Sequence, residues 1–174
     1  MKRIIIAFIA VSSFAFLLSP KFYSANKEGF NKGALFSLIK ENKSEKGFKV
    51  TNIGSFGLSI MRKIASSQVK DPQGREAIEA LSGVHKIVIV DYEEASEASK
   101  KRFEGRVSRI FRNTEKLFEV KEDGDKMDLY GILSDDGKII KDFVLFSSSG
   151  SALICVIGSI STDRIGALIN KNLN

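Results

Sequence analysis

Hydrophobic residues recur with different periods along the chain, and each period predicts a different element. Apolar positions have roughly helical spacing between Phe30 and Ile39, which predicts a short helix that ends near Glu41. Alternation of apolar and polar residues begins at Phe48 and predicts a strand that ends at Ile53. The first half of the chain therefore combines helices and strands.

Two further helices are predicted before the middle of the chain. Glycines at residues 54 and 57 predict a turn, and Leu58, Met61, Ile64 and Ala65 then share one face of a short helix. Asp71 suits an N-cap and Pro72 suits the first position of the next helix, which ends at Gly83.

A buried strand and a long helix follow. His85 to Tyr92 contains four consecutive β-branched residues, which predicts a strand buried on both faces. Glu93 to Glu115 carries the clearest helical pattern of the chain, with Phe103 on its apolar face.

The last third of the chain predicts four consecutive strands. The predicted strands are Leu117–Lys121, Met127–Leu133, Ile139–Phe146 and Ala152–Ile160. Short Asp-Gly turns at 122–125 and 134–137 and a serine-rich link at 147–151 join them, which predicts an antiparallel meander. Ser161 is predicted to cap a final helix.

This order predicts an α+β fold with a largely antiparallel sheet. The C-terminal four-strand meander and one or two further strands form the sheet, and the helices pack mainly on one face. The predicted organisation is a signal peptide at 1–25, a short helix and polar linker at 26–47, and a single α+β domain at 48–174.

The N-terminal segment has the layout of a secretory signal peptide. Lys2 and Arg3 precede an uncharged run from Ile4 to Leu18, which is too short to cross a bilayer upright. We expect cleavage near Ala25, and the alternative is a tilted anchor that stays uncleaved. The absence of a cysteine near this cut argues against a lipoprotein.

Composition and charge exclude several classes of protein. The 174-residue chain has ordinary globular proportions, with 43% hydrophobic and 28% charged residues. Lys2, Arg3 and Lys21 supply three of the six net positive charges, so the exported chain is only mildly basic. Nucleic acid is therefore not the expected partner.

Few residue types are available for catalysis or metal binding. One cysteine and one histidine exclude a disulfide framework, a cysteine zinc site and any site that needs two imidazoles. The environment of His85 indicates a structural or solvated side chain, and that of Cys155 an inert buried thiol. We expect no cofactor and no metal, since the turn aspartates fit no calcium loop and the glycines fit no phosphate loop. Those aspartates are Asp123, Asp125, Asp128, Asp135 and Asp136.

The long predicted helix carries a basic stripe that is the candidate binding site. Arg102, Arg106, Arg109 and Lys116 fall within roughly 40° of arc at about 100° per residue, and Arg112 borders them. Such a stripe beside an apolar face can bind anionic lipid, a polyanion or an acidic protein. The alternative is the solvated outer face of a packed helix.

Three stretches of the chain together resemble the domain of unknown function 4252 family. They are residues 45–53, residues 84–90, and the meander segments 117–124, 137–145 and 157–160. The resemblance implies an exported α+β domain from a Gram-negative, Bacteroidetes-like cell, and it supplies no activity, ligand or catalytic residue.

These observations predict an exported, non-catalytic domain that binds a protein, peptide or envelope component in the periplasm or at the outer membrane. One alternative is a small envelope hydrolase with a carboxylate pair. Another is a peripheral protein that binds anionic lipid through the basic stripe. The oligomeric state stays open, because a sheet edge could pair with another chain.

Overall fold

The computed structural model describes residues 29–68, 81–122 and 125–162. Within these ranges six strands form one antiparallel sheet, in the order β1-β2-β6-β5-β4-β3. The strands are β1 (Lys49–Ile53), β2 (Val84–Asp91), β3 (Lys116–Glu122), β4 (Asp125–Leu133), β5 (Ile139–Ser147) and β6 (Ala152–Ser161). The helices are α1 (Lys32–Asn42), α2 (Ser55–Gln68) and α3 (Glu97–Ile110), and Leu81–Gly83 forms a short 3-10 helix.

Two hydrophobic cores lie on opposite faces of the sheet, because successive strand residues point to opposite sides. On the first face, α1 and α3 pack their apolar residues against the central strands. On the second face, Leu58 of α2 packs against residues of β2, β5 and β6. Among the residues described, no helix is both long and apolar enough to cross a membrane.

The predicted fold class is confirmed. β3 to β6 form the antiparallel meander, and β1 and β2 extend it beside β6. Two of the three described helices share the first face. β2 is buried on both sides as predicted, since Val88 and Val90 enter the first-face core and Ile87 enters the second.

Two helix starts and one helix end differ from the sequence prediction, since α3 ends at Ile110 and a turn occupies residues 111–114 of the helix predicted to reach Glu115. α3 begins at Glu97 instead of Glu93, because the Asp91 carboxylate accepts the Glu93 N–H in a turn and the Ser96 hydroxyl then caps the helix. α2 begins at Ser55, within the predicted glycine turn. The leader, the helix starting at Asp71, the turn residues 123–124 and the helix after Ser161 lie outside the described residues.

A row of β-bulges crosses five of the six strands. The pairing register shifts at Leu117 in β3, opposite Gly131 in β4, at Asp142 in β5, near Gly158 in β6 and at His85 in β2. Each bulge inserts a residue and increases the local twist. The row therefore separates a long, regular part of the sheet from a short part beyond it.

Asp142 fixes the centre of this row. Its backbone has φ 45°, a left-handed conformation that aspartate tolerates better than most residues. One carboxylate oxygen accepts the Gly158 N–H at 3.0 Å, and the other pairs with the Lys32 ammonium at 2.7 Å. Lys32 is the first residue of α1, so one side chain joins two bulged strands to the start of this helix.

The chain enters the domain at the short part of the sheet. Gly29 lies so close to Ile132 that an added Cβ would come within 2.5 Å of its Cδ1 atom. We name this part, where β1, β4 and β6 finish, the entry end. The opposite part, where β5 turns into β6 and α3 begins, is the far end.

Candidate functional site

The predicted basic stripe is only partly on one helix: Arg102, Arg106 and Arg109 lie on α3, whereas Arg112 follows its end and Lys116 begins β3. Phe103 and Val107 of α3 are fully buried against the first face of the sheet, and this contact fixes the rotation of the helix. The two helices run in opposite directions, so residues that follow one another on α3 meet residues in reverse order on and after α1. The stripe is therefore positioned by the core beneath it.

Two arginines of the stripe form ion pairs across this helix junction. Arg102 pairs with Glu45 and Arg106 pairs with Glu41, each with an N–O distance of 2.5 Å. The hydrogen bond from Arg106 lowers the pKa of Glu41. The pKa of Glu45 is lowered mainly by the hydrogen bond from the Ser99 hydroxyl, and the hydrogen bond from Arg102 is the second cause. These two guanidinium groups serve the packing of α3 against the α1 segment.

Lys116 belongs to a separate charged cluster on β3 and β4. Glu119 and Asp128 are directly opposite each other on the two strands. The Lys116 ammonium lies 2.5 Å from Glu119 and 2.9 Å from Asp128, and Lys126 lies within 3.7 Å of both carboxylates. The hydrogen bond to Glu119 raises the pKa of Lys116 above its ordinary value. Tyr130 donates its hydroxyl to Asp128 at 3.3 Å.

This cluster contains the carboxylate pair that a hydrolase would need, in a form adapted to ion pairing. Asp128 is only 6% exposed. Its Oδ1 atom has no hydrogen-bond donor with good geometry, and the nearby Lys116 ammonium compensates it by charge. Glycoside hydrolysis requires one acid that donates a proton. Here both carboxylates are held by two ammonium groups, an arrangement that stabilises the β3–β4 edge.

Arg109 and Arg112 differ from the other members of the stripe. Both are exposed, and neither guanidinium group has a hydrogen bond or ion pair to another described residue. They flank the end of α3, where Phe111 stacks on Tyr130 with ring centroids 4.4 Å apart. Because Tyr130 adjoins the bulge at Gly131, these two arginines lie towards the entry end. The five predicted site residues are thus divided into three that are paired and two that face solvent.

The other candidate residues from the sequence lie in a bulge, in the core and in a turn. His85 is an exposed bulge residue whose backbone carbonyl accepts the Ser55 hydroxyl at 3.0 Å. Cys155 is fully buried, and burial raises the pKa of its thiol to about 12. Asp136 accepts the Ser134 hydroxyl and the Lys138 N–H within the β4–β5 turn. Across the ranges described, no three His, Cys, Asp or Glu side chains are grouped so that they could hold a metal ion.

The sequence analysis missed the exposed apolar face of α2. Phe56 is 81% exposed and Ile60 is 43% exposed, although Leu58 between them is buried. The signal was present as an i, i+4 apolar pair, but the prediction assigned Phe56 to a turn and considered only the inward face. Ile139, at the first position of β5, is the third large hydrophobic residue of the described chain that is exposed.

All three of these exposed hydrophobic residues lie at the entry end. α2 follows directly from the end of β1, and Arg62 of α2 donates to the Ser82 carbonyl just before β2. The exposed cations of this end in the described ranges include Lys63, Arg109, Arg112, Lys138 and Lys141. Its exposed carboxylates in the described ranges, Asp135 and Asp136, both lie in the β4–β5 turn. The entry end therefore combines exposed apolar residues with an excess of positive charge.

The comparisons with known proteins agree with the resemblance seen in the sequence. The model of a family described as domain of unknown function DUF4252 matches residues 40–168, which is most of the chain. No curated protein and no solved structure matches it. The chain belongs to the DUF4252 family.

Proposed function

We propose that this DUF4252 protein is an exported, non-catalytic domain that binds a component of the cell envelope through its entry end. The observation that carries the proposal is the coincidence at one end of the sheet of exposed cations and exposed hydrophobic residues. Among the other residues whose burial is described, large hydrophobic side chains are buried or partly buried.

The pairing pattern supports binding in preference to catalysis. Glu119 and Asp128, the carboxylates that β3 and β4 bring together, are both paired with lysines. Arg109 and Arg112 instead present their guanidinium groups to solvent. Arginine is well suited to phosphate and carboxylate groups because its planar fork can donate two parallel hydrogen bonds.

The leader pattern supports export. Cleavage near Ala25 would release a chain that begins shortly before Gly29, which lies against Ile132 at the entry end. Mass spectrometry of the protein isolated from its own cells should find an N-terminus near Asn26. Recovery from the cytosol with Met1 still attached would contradict this part of the proposal.

Binding to isolated envelope membranes tests the surface. We expect the double variant Arg109→Ser with Arg112→Ser to bind severalfold less than wild type, since both side chains are exposed and contribute no ion pair to the described fold. Lys43→Ser with Lys46→Ser removes the same charge from exposed positions at the far end and is the matched control. Equal binding by the two double variants would remove the entry end from the proposal.

A further inference from the structure

We infer that the envelope component is the surface of an anionic lipid bilayer, and that Phe56 inserts into it. This inference rests on the proposed function and names its partner. Phe56 is the most exposed large hydrophobic residue of the described chain, at 81%, and it projects from the first turn of α2. An aromatic side chain in this position can enter the boundary between headgroups and acyl chains.

The helix that carries Phe56 has the composition of an interfacial helix. Its sequence, SFGLSIMRKIASSQ, contains two basic residues and no acidic residue. Ile60 lies one turn after Phe56 on the same exposed side, and Lys63 follows Ile60 by three residues. Leu58 fixes the helix to the second-face core, so the outer side stays directed away from the sheet.

A second group of residues at the entry end supports a broad, flat partner. Lys141 is directly opposite Ile132 on β4, and Ile139 lies two positions before Lys141 on the same side of β5. Both Ile139 and Lys141 are exposed. Apolar and basic residues thus occur on β5 as well as on α2, and the two groups lie on opposite faces of the sheet at this end, because Ile140 points into the second-face core on which α2 packs. A bilayer can contact both groups at once, whereas a single peptide would follow one groove or edge.

The position of the chain entry places this same surface near a membrane during export. The uncharged run ends at Leu18, and about ten residues, which span at most about 35 Å, separate it from Gly29. Gly29 packs on Ile132 at the entry end. While the leader is in the membrane, the end of the domain that faces it is therefore the end with exposed hydrophobic residues and excess positive charge.

Tryptophan fluorescence gives a direct test, because the chain has no natural tryptophan. Phe56→Trp should show a blue shift of its emission when vesicles of phosphatidylcholine with phosphatidylglycerol are added to the full chain. Brominated acyl chains should quench that emission. Ser44→Trp, at an exposed position of the far end, is the matched control and should show neither effect.

Vesicle co-sedimentation measures the strength of the contact. Phe56→Ser should weaken binding to the anionic vesicles about tenfold, since burial of a Phe side chain accounts for at least one decade of affinity. Phe56→Leu should restore most of it, and Lys43→Ser with Lys46→Ser should leave it unchanged. Vesicles of phosphatidylcholine alone, or added salt, should weaken binding of the wild type.

The outcomes separate this inference from the proposed function. No blue shift and no vesicle binding, with envelope binding that still depends on Arg109 and Arg112, would overturn the lipid partner and indicate an envelope protein. If the wild-type protein bound neither vesicles nor envelope membranes, both proposals would be overturned together. Equal thermal midpoints of wild type and Phe56→Ser would exclude unfolding as the cause of weaker binding.

Discussion

The far end and the entry end of the sheet are built from the same strands but differ in strand register and in the burial of their hydrophobic side chains. At the far end the strands pair in regular register, and Phe48, Tyr92 and Phe103 form an aromatic cluster with centroids 5.0 to 5.7 Å apart. The buried Tyr92 hydroxyl donates to Glu104 and to the Ser147 carbonyl. At the entry end the strands bulge, and hydrophobic side chains reach solvent.

The two ends also differ in how their charged side chains are paired. The far end carries both signs, and several of its charges are paired, for example Lys49 with Glu94 and Lys100 with Glu97. The described entry end has more exposed cations than carboxylates. Exposed apolar patches commonly mark interaction sites, whereas a closed core does not. We therefore expect the far end to stabilise the domain and the entry end to make its contacts.

The largest effect is expected from a change that prevents the entry end from bulging. Gly158 has φ +132°, and an added Cβ would come within 2.2 Å of the Gly83 carbonyl oxygen. Gly158→Val should cost about 1–3 kcal/mol through strain and about 1–3 kcal/mol more through overpacking. Urea denaturation would measure this loss of stability.

Gly105→Ala is the matched control for that change. Gly105 lies within α3, and nothing is within 4 Å of an added Cβ. We expect a gain of about 0.5–1 kcal/mol, since alanine has the better helix propensity. A Gly158→Val protein as stable as Gly105→Ala would show that the bulge row does not require this backbone conformation.

The next largest effect on stability is expected from a buried phenylalanine, compared with an exposed one. Phe103→Ala should lower the free energy of unfolding by about 3–5 kcal/mol, because it opens a cavity in a core where Phe103 is fully buried. Phe56→Ala should change it by less than about 0.5 kcal/mol. Thermal denaturation of the two proteins would check the difference, and a comparable loss for Phe56→Ala would mean that Phe56 packs within the fold.

A smaller effect is expected where Asp142 ties the bulge to α1. Asp142→Ala removes the acceptor of the Gly158 N–H and should cost about 1–3 kcal/mol. Asp142→Asn keeps an acceptor and tolerates φ 45°, so it should cost less than about 1 kcal/mol. Chemical denaturation of both variants gives the comparison. Equal losses would assign the effect to the charge pair with Lys32 instead.

The smallest effect is expected from the ion pairs between α1 and α3. Arg106→Ala should lower the thermal midpoint by no more than about 2 °C at neutral pH, since the pair is exposed. The pKa of Glu41 is lowered in the folded state, so its contribution is present above pH 4.5 and is lost as the pH falls through the lowered value. Wild type and Arg106→Ala should therefore converge in acid, and a difference that grows in acid would contradict the pairing.

The elements of the fold could be predicted because local sequence determines them. Asp-Gly turns between alternating segments are sufficient to specify a meander, and β-branched residues at 87–90 specify a buried strand. Helical periodicity placed Arg102, Arg106 and Arg109 on one helix correctly, but it was wrong for Arg112 and Lys116, which lie beyond the end of α3. The start of α3 was predicted four residues too early, because the turn at Asp91 and the cap at Ser96 delay the helix to Glu97.

The sequence alone determined the α+β class, the antiparallel order of the last four strands, the buried Cys155 and the family. Tertiary structure decided which cations remain exposed. Arg106 and Arg109 belong to the same stripe, yet only Arg106 meets a carboxylate, because α1 packs beside that part of α3. It also decided that bulges align across five strands and that Phe56 points outward. Each of these depends on contacts between segments far apart in the chain, and periodicity within one segment does not contain that information.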